Sequence, residues 1–231
     1  MLIKKIVGNL YSVITLDVYE MKMHCSINEK WPADNFNILR LVSGDVSRFV
    51  KGANEIANGW VVFTDESVEK KFKEMEQCYY AVDGDSIIAF AWFAPYKVSY
   101  PTFRTKLFCK DKVLFGYNAY VRDDYRGKNV ILKIYKTALD AMDRNMHFNG
   151  WIGSMLPSNV SSRTALMEYE PMLIGRIHNV LIMGILFQIA FIKKPGVRAE
   201  RIGSRFYIWK NVFAKMLKRK KNYGGIYGVI G

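Results

Sequence analysis

The sequence predicts an α/β (α+β) fold: a mixed, mostly antiparallel twisted sheet with helices on both faces. Half of the 231 residues are hydrophobic, which is enough for a large buried core. Segments with strand-like apolar patterns alternate with segments in which apolar residues recur at helical spacing. The order is strand, two helices, antiparallel strands, helix, strand, helix and final strands. This order predicts helices on both sides of one sheet.

The first part of the chain is expected to supply two strands and two helices. Residues 13–18 are a candidate strand, and residues 36–42 alternate apolar and polar side chains as a half-buried strand does. Asp45 is a candidate cap for the helix that follows. A second helix, rich in Glu and Lys, is predicted from Thr64 to about Glu76.

A hairpin and five further elements follow. Asp83-Gly84-Asp85 separates the β-rich segments 79–82 and 86–94, and an Asp-Gly pair in this position is a good hairpin signal. Residues 95–112 are expected to form a loop or an irregular strand pair. The remaining predicted elements are a strand at 113–121, a long helix at 129–145, a strand at 151–155, a short helix at 159–169 and one or two strands within 172–192.

Composition narrows the partners. The formal net charge of +13 favours polyanions: nucleic acid, an acidic membrane surface or a phosphorylated small molecule. No aromatic–basic platform and no recognition motif accompanies the charge, so nucleic acid is not expected as a partner. Cys25, Cys78 and Cys109 form no metal-binding pattern, and their odd number predicts a reducing compartment. No metal is expected.

The sequence also predicts where the protein is found. Residues 1–7 do not have the pattern of a signal peptide. The longest apolar run, residues 180–192, is shorter than the roughly 20 residues that span a bilayer. The chain is therefore expected to be cytoplasmic, with a peripheral position at a membrane as an alternative.

The clearest chemical signal lies between the strand at 113–121 and the next helix. A charged turn from Arg122 to Lys128 contains Arg126-Gly127 just before the helix begins. The first N–H groups of a helix lack intrahelical acceptors and carry partial positive charge, so they bind anions. Gly127 permits a bend close to a ligand, and the flanking cations add charge. The segment is either a pyrophosphate-binding turn or an ordinary solvated connection.

This segment resembles the acyl-CoA loop of the GNAT superfamily of N-acetyltransferases. The usual form of that loop is Val-x-Pro-x-Tyr-Arg-Gly-Lys-Gly-Ile-Gly, and residues 121–131 read Val-Arg-Asp-Asp-Tyr-Arg-Gly-Lys-Asn-Val-Ile. Asn129 and Ile131 replace the two later glycines. The resemblance implies that the backbone of Tyr120 and Val121 pairs with the pantetheine arm. It also implies a pyrophosphate site formed by Arg126, Gly127, Lys128, Asn129, Val130 and Ile131.

A second match lies downstream. Residues 150–163 resemble the family's next strand and the start of an Asn-containing helix, which lies near the pantetheine arm in the family. The resemblance implies that Asn159 is the residue near the pantetheine arm. Ser162, in the same helix start, is a second candidate for binding the cofactor. The resemblance covers about residues 37–192. The chain is accordingly divided into an N-terminal extension, 1–36, an acyltransferase domain, 37–192, and a basic amphipathic C-terminal extension, 193–231.

The catalytic residues are less clearly indicated. The family's usual general-acid Tyr aligns with Leu166, and Tyr169, about one helical turn further on, is the candidate substitute or else a core residue. Asn118 is a candidate for orienting the acceptor. His178 is a candidate general base because histidine is the usual residue for that role at neutral pH, or it is an ordinary strand histidine. No carboxylate lies within residues 113–121.

The resemblance implies an acyltransferase. It would move an acetyl or other acyl group from acyl-CoA to an amine or hydroxyl of a small-molecule acceptor, by direct attack in a ternary complex. A nucleotide-linked or lipid-linked amino sugar would suit a basic protein near a membrane, and so would an amino acid or a protein amine. The altered loop is also similar to that of GNAT members linked to surface-polysaccharide pathways. The alternative is a catalytically degenerate module that binds a ligand or partner without turnover. A homodimer is compatible with both.

The C-terminal extension contains an amphipathic segment at residues 205–221. The basic residues Lys210, Lys215, Lys218 and Arg219 lie largely away from its apolar side. Such a segment is expected either to contact an anionic membrane surface or to dock on its own domain. The apolar side chains at helical spacing are Phe206, Trp209, Val212, Phe213, Met216 and Leu217.

Overall fold

The computed structural model describes residues 11–23, 36–182 and 185–202, which form two sheets and four α-helices. The strands are β1 Tyr11–Met21, β2 Asn37–Arg40, β3 Gln77–Asp83, β4 Ser86–Pro95, β5 Lys97–Tyr100, β6 Thr105–Cys109, β7 Val113–Val121, β8 Gly150–Met155, β9 Met172–Ile182, β10 Ile185–Ile192 and β11 Val197–Arg201. The helices are α1 Val46–Ala57, α2 Asp65–Lys73, α3 Val130–Met146 and α4 Val160–Leu166. None of the helices in these ranges is long and apolar enough to span a membrane.

The large sheet has the strand order β10-β9-β1-β8-β7-β4-β3-β2. β7 and β8 run parallel, and each of the other neighbouring pairs is antiparallel. A small antiparallel sheet has the order β11-β6-β5. The predicted class, a mixed and mostly antiparallel sheet with helices on both faces, is confirmed.

Alternating side chains of the central strands enter two separate cores, one on each side of the large sheet. Phe90 and Trp92 of β4 face a core shared with α1, α2 and the small sheet, and we call this side the α1 face. Ile88 and Phe93 of the same strand face a core shared with α3 and α4, and we call this side the α3 face. The middle of the large sheet is therefore buried on both sides.

β1 lies inside the large sheet although it belongs to the segment predicted to be an N-terminal extension. It pairs with β8 on one side and β9 on the other, and its Ile14, Leu16 and Val18 enter the α1-face core. β11, from the predicted C-terminal extension, pairs with β6 in the small sheet. The boundaries at residues 37 and 192 thus cut through both sheets. As a functional division, the three segments stay a prediction.

Most local predictions are confirmed. Gly84, at φ 56°, turns the chain between β3 and β4, and residues 172–192 contain the two strands β9 and β10. Residues 95–112 include the strand pair β5 and β6 of the small sheet. Asp45 occupies the N-cap position of α1 as predicted, but its side chain makes no capping hydrogen bond, because a 3₁₀ turn precedes α1 and Asp45 has ψ 3°. A capping side chain usually comes from a residue with extended backbone.

Candidate functional site

A gap opens between the parallel strands β7 and β8. Their pairing ends at Gly116 and Gly153, whereas β7 continues to Val121 and β8 to Met155. β4 stays paired with β7 to Val121, and β1 stays paired with β8 to Met155, so only these two strands separate. Among the described strands, none pairs with the β8 side of residues 117–121. These backbone groups suit a ligand that hydrogen-bonds as an added strand does.

β7 carries a bulge just beyond its last pair with β8. Asn118 and Ala119 lie opposite the single residue Ala91 of β4, and Asn118 has a left-handed φ of 47°. Asn tolerates this conformation better than most residues. Every residue of β7 from Val113 to Tyr120 is buried except Asn118, so this stretch of the strand reaches solvent at the bulge. A bulge leaves backbone groups outside the ladder, so the N–H groups at Asn118 and Ala119 are candidate donors to a ligand in the gap.

The turn after β7 presents free N–H groups. Gly127 has φ 76° and Asn129 has φ 57°, and α3 begins at the next residue, Val130. Within the described ranges, no hydrogen bond engages the N–H groups of Gly127, Asn129 or the first turn of α3. These groups lie at the positive end of a helix of 17 residues, which favours an anion. The turn's own bonds use the N–H groups of Tyr125, Arg126 and Lys128.

The arginines of this turn form ion pairs with aspartates of the same turn. Arg126 lies 2.8 Å from the carboxylate of Asp123, and the guanidinium of Arg122 donates to Asp124 at 2.7 Å. This hydrogen bond raises the pKa of Arg122 and lowers the pKa of Asp124. A phosphate at the turn must therefore compete with Asp123 for Arg126. The ammonium of Lys128 lies 4.5 Å from the ring centre of Tyr125.

Two residues stand where the family loop has its later glycines. Asn129 holds the left-handed conformation, and Ile131 is partly buried against the α3-face core. Tyr120 and Val121 point to opposite faces of the sheet. The Tyr120 ring packs 5.2 Å from that of Phe90, and Val121 packs against the α3-face core.

Asn159 and Ser162 lie at the same sheet edge, where β8 leads into α4. Asn159 is buried, its side-chain oxygen accepts from the Ser162 N–H at 3.1 Å, and its amide donates to the Ser162 hydroxyl at 2.9 Å. The Asn159 side chain thus caps the start of α4, and the Ser162 hydroxyl holds the amide of that cap. Their backbone stands near the gap, and contact of their side chains with a pantetheine arm stays a prediction.

Tyr169 packs in the α3-face core. It is 1% exposed, its ring lies 5.4 Å from that of Trp151, and its hydroxyl donates to the Leu132 carbonyl at 3.4 Å. A hydroxyl that protonates a thiolate must reach the reacting sulfur. This packing favours the structural alternative, and the catalytic role of Tyr169 stays a prediction without support from its contacts.

His178 lies apart from the gap. It stands on β9, which is separated from β8 by β1, and its ring Nδ1 is 2.9 Å from the Thr15 hydroxyl. Its ring also contacts Phe191 of β10 at 6.2 Å. A role as the general base stays a prediction that this position does not support.

A partly buried polar cluster on the α1 face was not found from the sequence. The Tyr117 hydroxyl accepts from the Lys71 ammonium at 2.5 Å and donates to the Glu76 carboxylate, and Lys71 also lies 2.9 Å from Glu76. Burial, and then the charge of Glu76, raises the pKa of Tyr117 well above its usual value. Tyr117 immediately precedes the bulge residue Asn118, so the cluster lies on the α1 face of β7 next to the bulge.

The α1 face of the gap is lined by a second tyrosine. The Ser154 hydroxyl of β8 donates to the Tyr100 hydroxyl at 3.2 Å, and the Tyr100 ring lies 6.3 Å from that of Tyr117. Tyr100 thereby connects the two strands just past their last backbone pair. Burial raises the pKa of Tyr100 as well, so both hydroxyls stay protonated at neutral pH.

The structure thus brings most predicted site residues to one edge and separates the others. The carboxyl ends of β7 and β8 gather Asn118, the turn at 120–131 and the start of α4, whereas Tyr169 is buried and His178 lies two strands away from β8. Across residues 11–23, 36–182 and 185–202, no group of three or more His, Cys, Asp or Glu side chains is arranged to hold a metal ion.

Comparison with known proteins finds similarity in structure but not in sequence. No family model and no curated protein matches the chain. A conserved protein of unknown function from Staphylococcus epidermidis has a TM-score of 0.53 at 10% identity, over 79% of this chain and 66% of that one, just under two thirds of its length. This likeness shows the fold alone.

Two acetyltransferases are similar at lower scores. Ribosomal-protein-alanine N-acetyltransferase from Brucella melitensis has a TM-score of 0.42 at 14% identity, over 56% of this chain and 86% of that one. Glucosamine-6-phosphate N-acetyltransferase from Arabidopsis thaliana has a TM-score of 0.42 at 19% identity, over 57% and 90%. At these scores the likenesses do not establish a function for this chain.

Proposed function

We propose that this protein is an acyl-CoA-dependent acyltransferase that transfers an acetyl or other acyl group to an amine or hydroxyl of a small molecule. The observation that carries the proposal is the continuity of the β7/β8 gap with the turn at residues 122–129. The gap accommodates an extended chain by strand-like hydrogen bonds. The turn accommodates an anion at the N-terminus of α3. Acyl-CoA joins these two chemistries in one molecule.

Each segment of the site binds a different part of acyl-CoA. The N–H groups from Gly127 to the first turn of α3 bind the pyrophosphate, and Arg126 and Lys128 add positive charge. The β8 side of residues 117–121 pairs with the pantetheine arm. The backbone at the Asn118 bulge then lies beside the thioester, where an N–H donor stabilises the oxyanion that forms during attack.

We further propose that Tyr117 and Glu76 form the acid–base pair. As the acceptor nitrogen or oxygen bonds to the carbonyl carbon, its proton passes to the Tyr117 oxygen and the Tyr117 proton passes to Glu76. The carbon–sulfur bond breaks and CoA leaves as a thiolate. Lys71, which contacts both groups, stabilises negative charge on either one. Because Tyr117 is 2% exposed, this role requires the gap to admit the acceptor as far as its hydroxyl.

An amino sugar is the acceptor class with which we would begin. Its amine is a direct nucleophile, and the net charge of +13 suits an acceptor carried on a phosphate or nucleotide. The link to surface polysaccharides suggested by the sequence stays part of this proposal.

Thiol release from acetyl-CoA in the presence of a panel of amines and alcohols tests the proposed function. We expect release that depends on one acceptor class and is lost in Gly127→Val, because a β-branched residue cannot easily hold φ 76°. An exposed valine, Val62, gives a matched control as Val62→Gly. No acceptor-dependent release from any thioester would contradict turnover.

A degenerate binding module is the second candidate, and two observations favour it. Arg126 is paired with Asp123, and Tyr169 is held in the core rather than beside the gap. This candidate predicts that acyl-CoA binds at the turn and remains intact in the presence of every acceptor. Binding measured by calorimetry, together with mass spectrometry of the recovered thioester, separates the two.

A further inference from the structure

The α3 face of β9, of β10 and of the first half of β1 is open to solvent among the described residues. The α3-face core contains no residue of β9 or β10. The other face of the same strands is covered, since Ile177 enters the α1-face core and Gln188 donates to Thr105 of the small sheet. The large apolar residues on the open face are Val13 (43% exposed), Ile182 (42%), Phe187 (47%), Ile189 (47%) and Phe191 (63%).

These side chains form one continuous patch. Val180 of β9 lies between Val13 of β1 and Phe187 of β10 in the strand register. His178 lies between Thr15 and Ile189 in the same way, and its ring contacts Phe191. Cross-strand neighbours on one face touch one another. Contiguous apolar patches of this kind mark surfaces that another element covers.

The described chain ends beside this patch. The Ile202 N–H donates to the Arg104 carbonyl at 2.7 Å, and the Arg201 guanidinium donates to the Leu186 carbonyl at 3.2 Å. Leu186 lies at the start of β10, which is the edge strand of the large sheet. The amphipathic segment begins at residue 205, only three positions after Ile202. The chain therefore leaves the small sheet next to the edge that it must pass to reach the open face.

The amphipathic segment at 205–221 lies outside the described residues, but its sequence matches the open face in length. Seventeen residues at helical rise span about 26 Å. The eight residues of β10 also span about 26 Å. The segment carries six large apolar side chains at helical spacing, and its basic residues lie largely on other sides.

We infer that residues 205–221 pack their apolar side chains on the open face of β1, β9 and β10. A segment tethered this closely has an effective concentration in the millimolar range, which exceeds the usual concentration of a second copy. The basic residues then face water, and the positive charge of this end of the molecule becomes part of its surface. The inference does not depend on acyl transfer.

Photo-crosslinking of the full chain tests this packing. The substitution Ile189→p-benzoylphenylalanine places a reactive ketone at the centre of the open face, and Val62→p-benzoylphenylalanine is the control at an exposed site away from it. We expect irradiation of the first protein to give an intramolecular adduct within residues 205–221. The control should give none. Adding Trp209→Asp to the first protein should abolish the adduct, because a carboxylate cannot be buried there without a partner.

Three results would overturn the inference. An adduct between two copies would assign the face to a dimer. Adducts only with lipid, on vesicles containing phosphatidylglycerol, would assign it to a membrane. A variant whose thermal unfolding is unchanged but that gives no adduct in residues 205–221 would show that the segment does not pack on the open face. Circular dichroism of each variant separates these results from misfolding.

Discussion

The two halves of the large sheet differ in how they are covered. β4 and β7 have helices on the α3 face and helices with the small sheet on the α1 face, and almost all of their side chains are buried. β9 and β10 are covered on one face only within the described residues. In the covered half, the gap between β7 and β8 is the place where two neighbouring described strands part. In the open half, the surface itself is available to another segment.

This contrast explains why the two regions call for different experiments. The gap between β7 and β8 interrupts an otherwise closed structure, so changes there should alter ligand binding or turnover. The open face is continuous and apolar, so changes there should alter stability or association. The predictions below begin with the largest expected effects.

Phe90→Ala tests how tightly the side chains of β4 and β7 are packed. Phe90 is 0% exposed and packs against Phe49 and Phe63, so its loss should lower the free energy of unfolding by about 3–5 kcal/mol. Phe187→Ala should cost distinctly less, about 1–2 kcal/mol, because its ring is 47% exposed among the described residues and only residues 205–221 would cover it. Urea unfolding of both variants measures the difference. Equal costs would remove the contrast between the halves.

Glu76→Gln tests the acid–base pair. If Glu76 receives a proton through Tyr117, the variant should lower kcat by about 10²- to 10⁴-fold and leave the KM for acetyl-CoA unchanged. Glu69→Gln, on the exposed side of α2, is the matched control. Steady-state kinetics with the acceptor identified by the thiol-release panel provides the measurement. An unchanged kcat, with the pH profile also unchanged, would reduce Glu76 to a structural ion pair.

Alkaline pH should weaken the covered half through its buried tyrosines. Because the pKa of Tyr117 is raised above its ordinary value of 10.0, the folded protein keeps this proton at a pH where the unfolded chain loses it. Stability from this group is complete below pH 10 and falls as pH rises above it, by up to about 1.4 kcal/mol per pH unit. Tyr117→Phe should make the decline above pH 10 less steep. An identical decline in both proteins would contradict the raised pKa.

The sequence was informative where the signal was local. The Asp83-Gly84 turn, the strand at 113–121 and the charged turn before α3 were predicted because neighbouring residues determine turn conformation and helix starts. The Glu76–Tyr117 contact joins residues 41 positions apart, and no sequence pattern near either residue predicts it. Strand β1 was a candidate from its apolar pattern, but its place between β8 and β9 depends on partners far along the chain.

The candidate site residues show the same limit. Tyr169 lies near the expected position along the helix, yet helical spacing cannot tell a side chain that faces the core from one that faces a ligand. Asn159 begins α4 as the spacing suggested, and its side chain is used as a cap. Asn118 was proposed from its residue type. Its position at a bulge depends on the β4 register, which no local pattern contains.

Asn159→Ala should have a small effect on stability. Loss of the cap should cost about 1 kcal/mol, and Asn159→Asp should restore most of it because a carboxylate also accepts from the Ser162 N–H. Acetyl-CoA affinity should change little in either variant. A large loss of affinity at unchanged stability would instead mean that the side chain reaches the ligand.

The most direct measurement is thermal unfolding with increasing acetyl-CoA, for the natural chain, Arg126→Ala and Arg198→Ala. Arg198, on β11 of the small sheet, is the control for loss of one positive charge. A ligand that binds the native state at 100 times its Kd stabilises it by about 2.7 kcal/mol. We expect the midpoint to rise for the natural chain and the control, and to rise much less for Arg126→Ala. No rise with any acyl-CoA, or an equal rise in all three proteins, would contradict an acyl-CoA site at this turn.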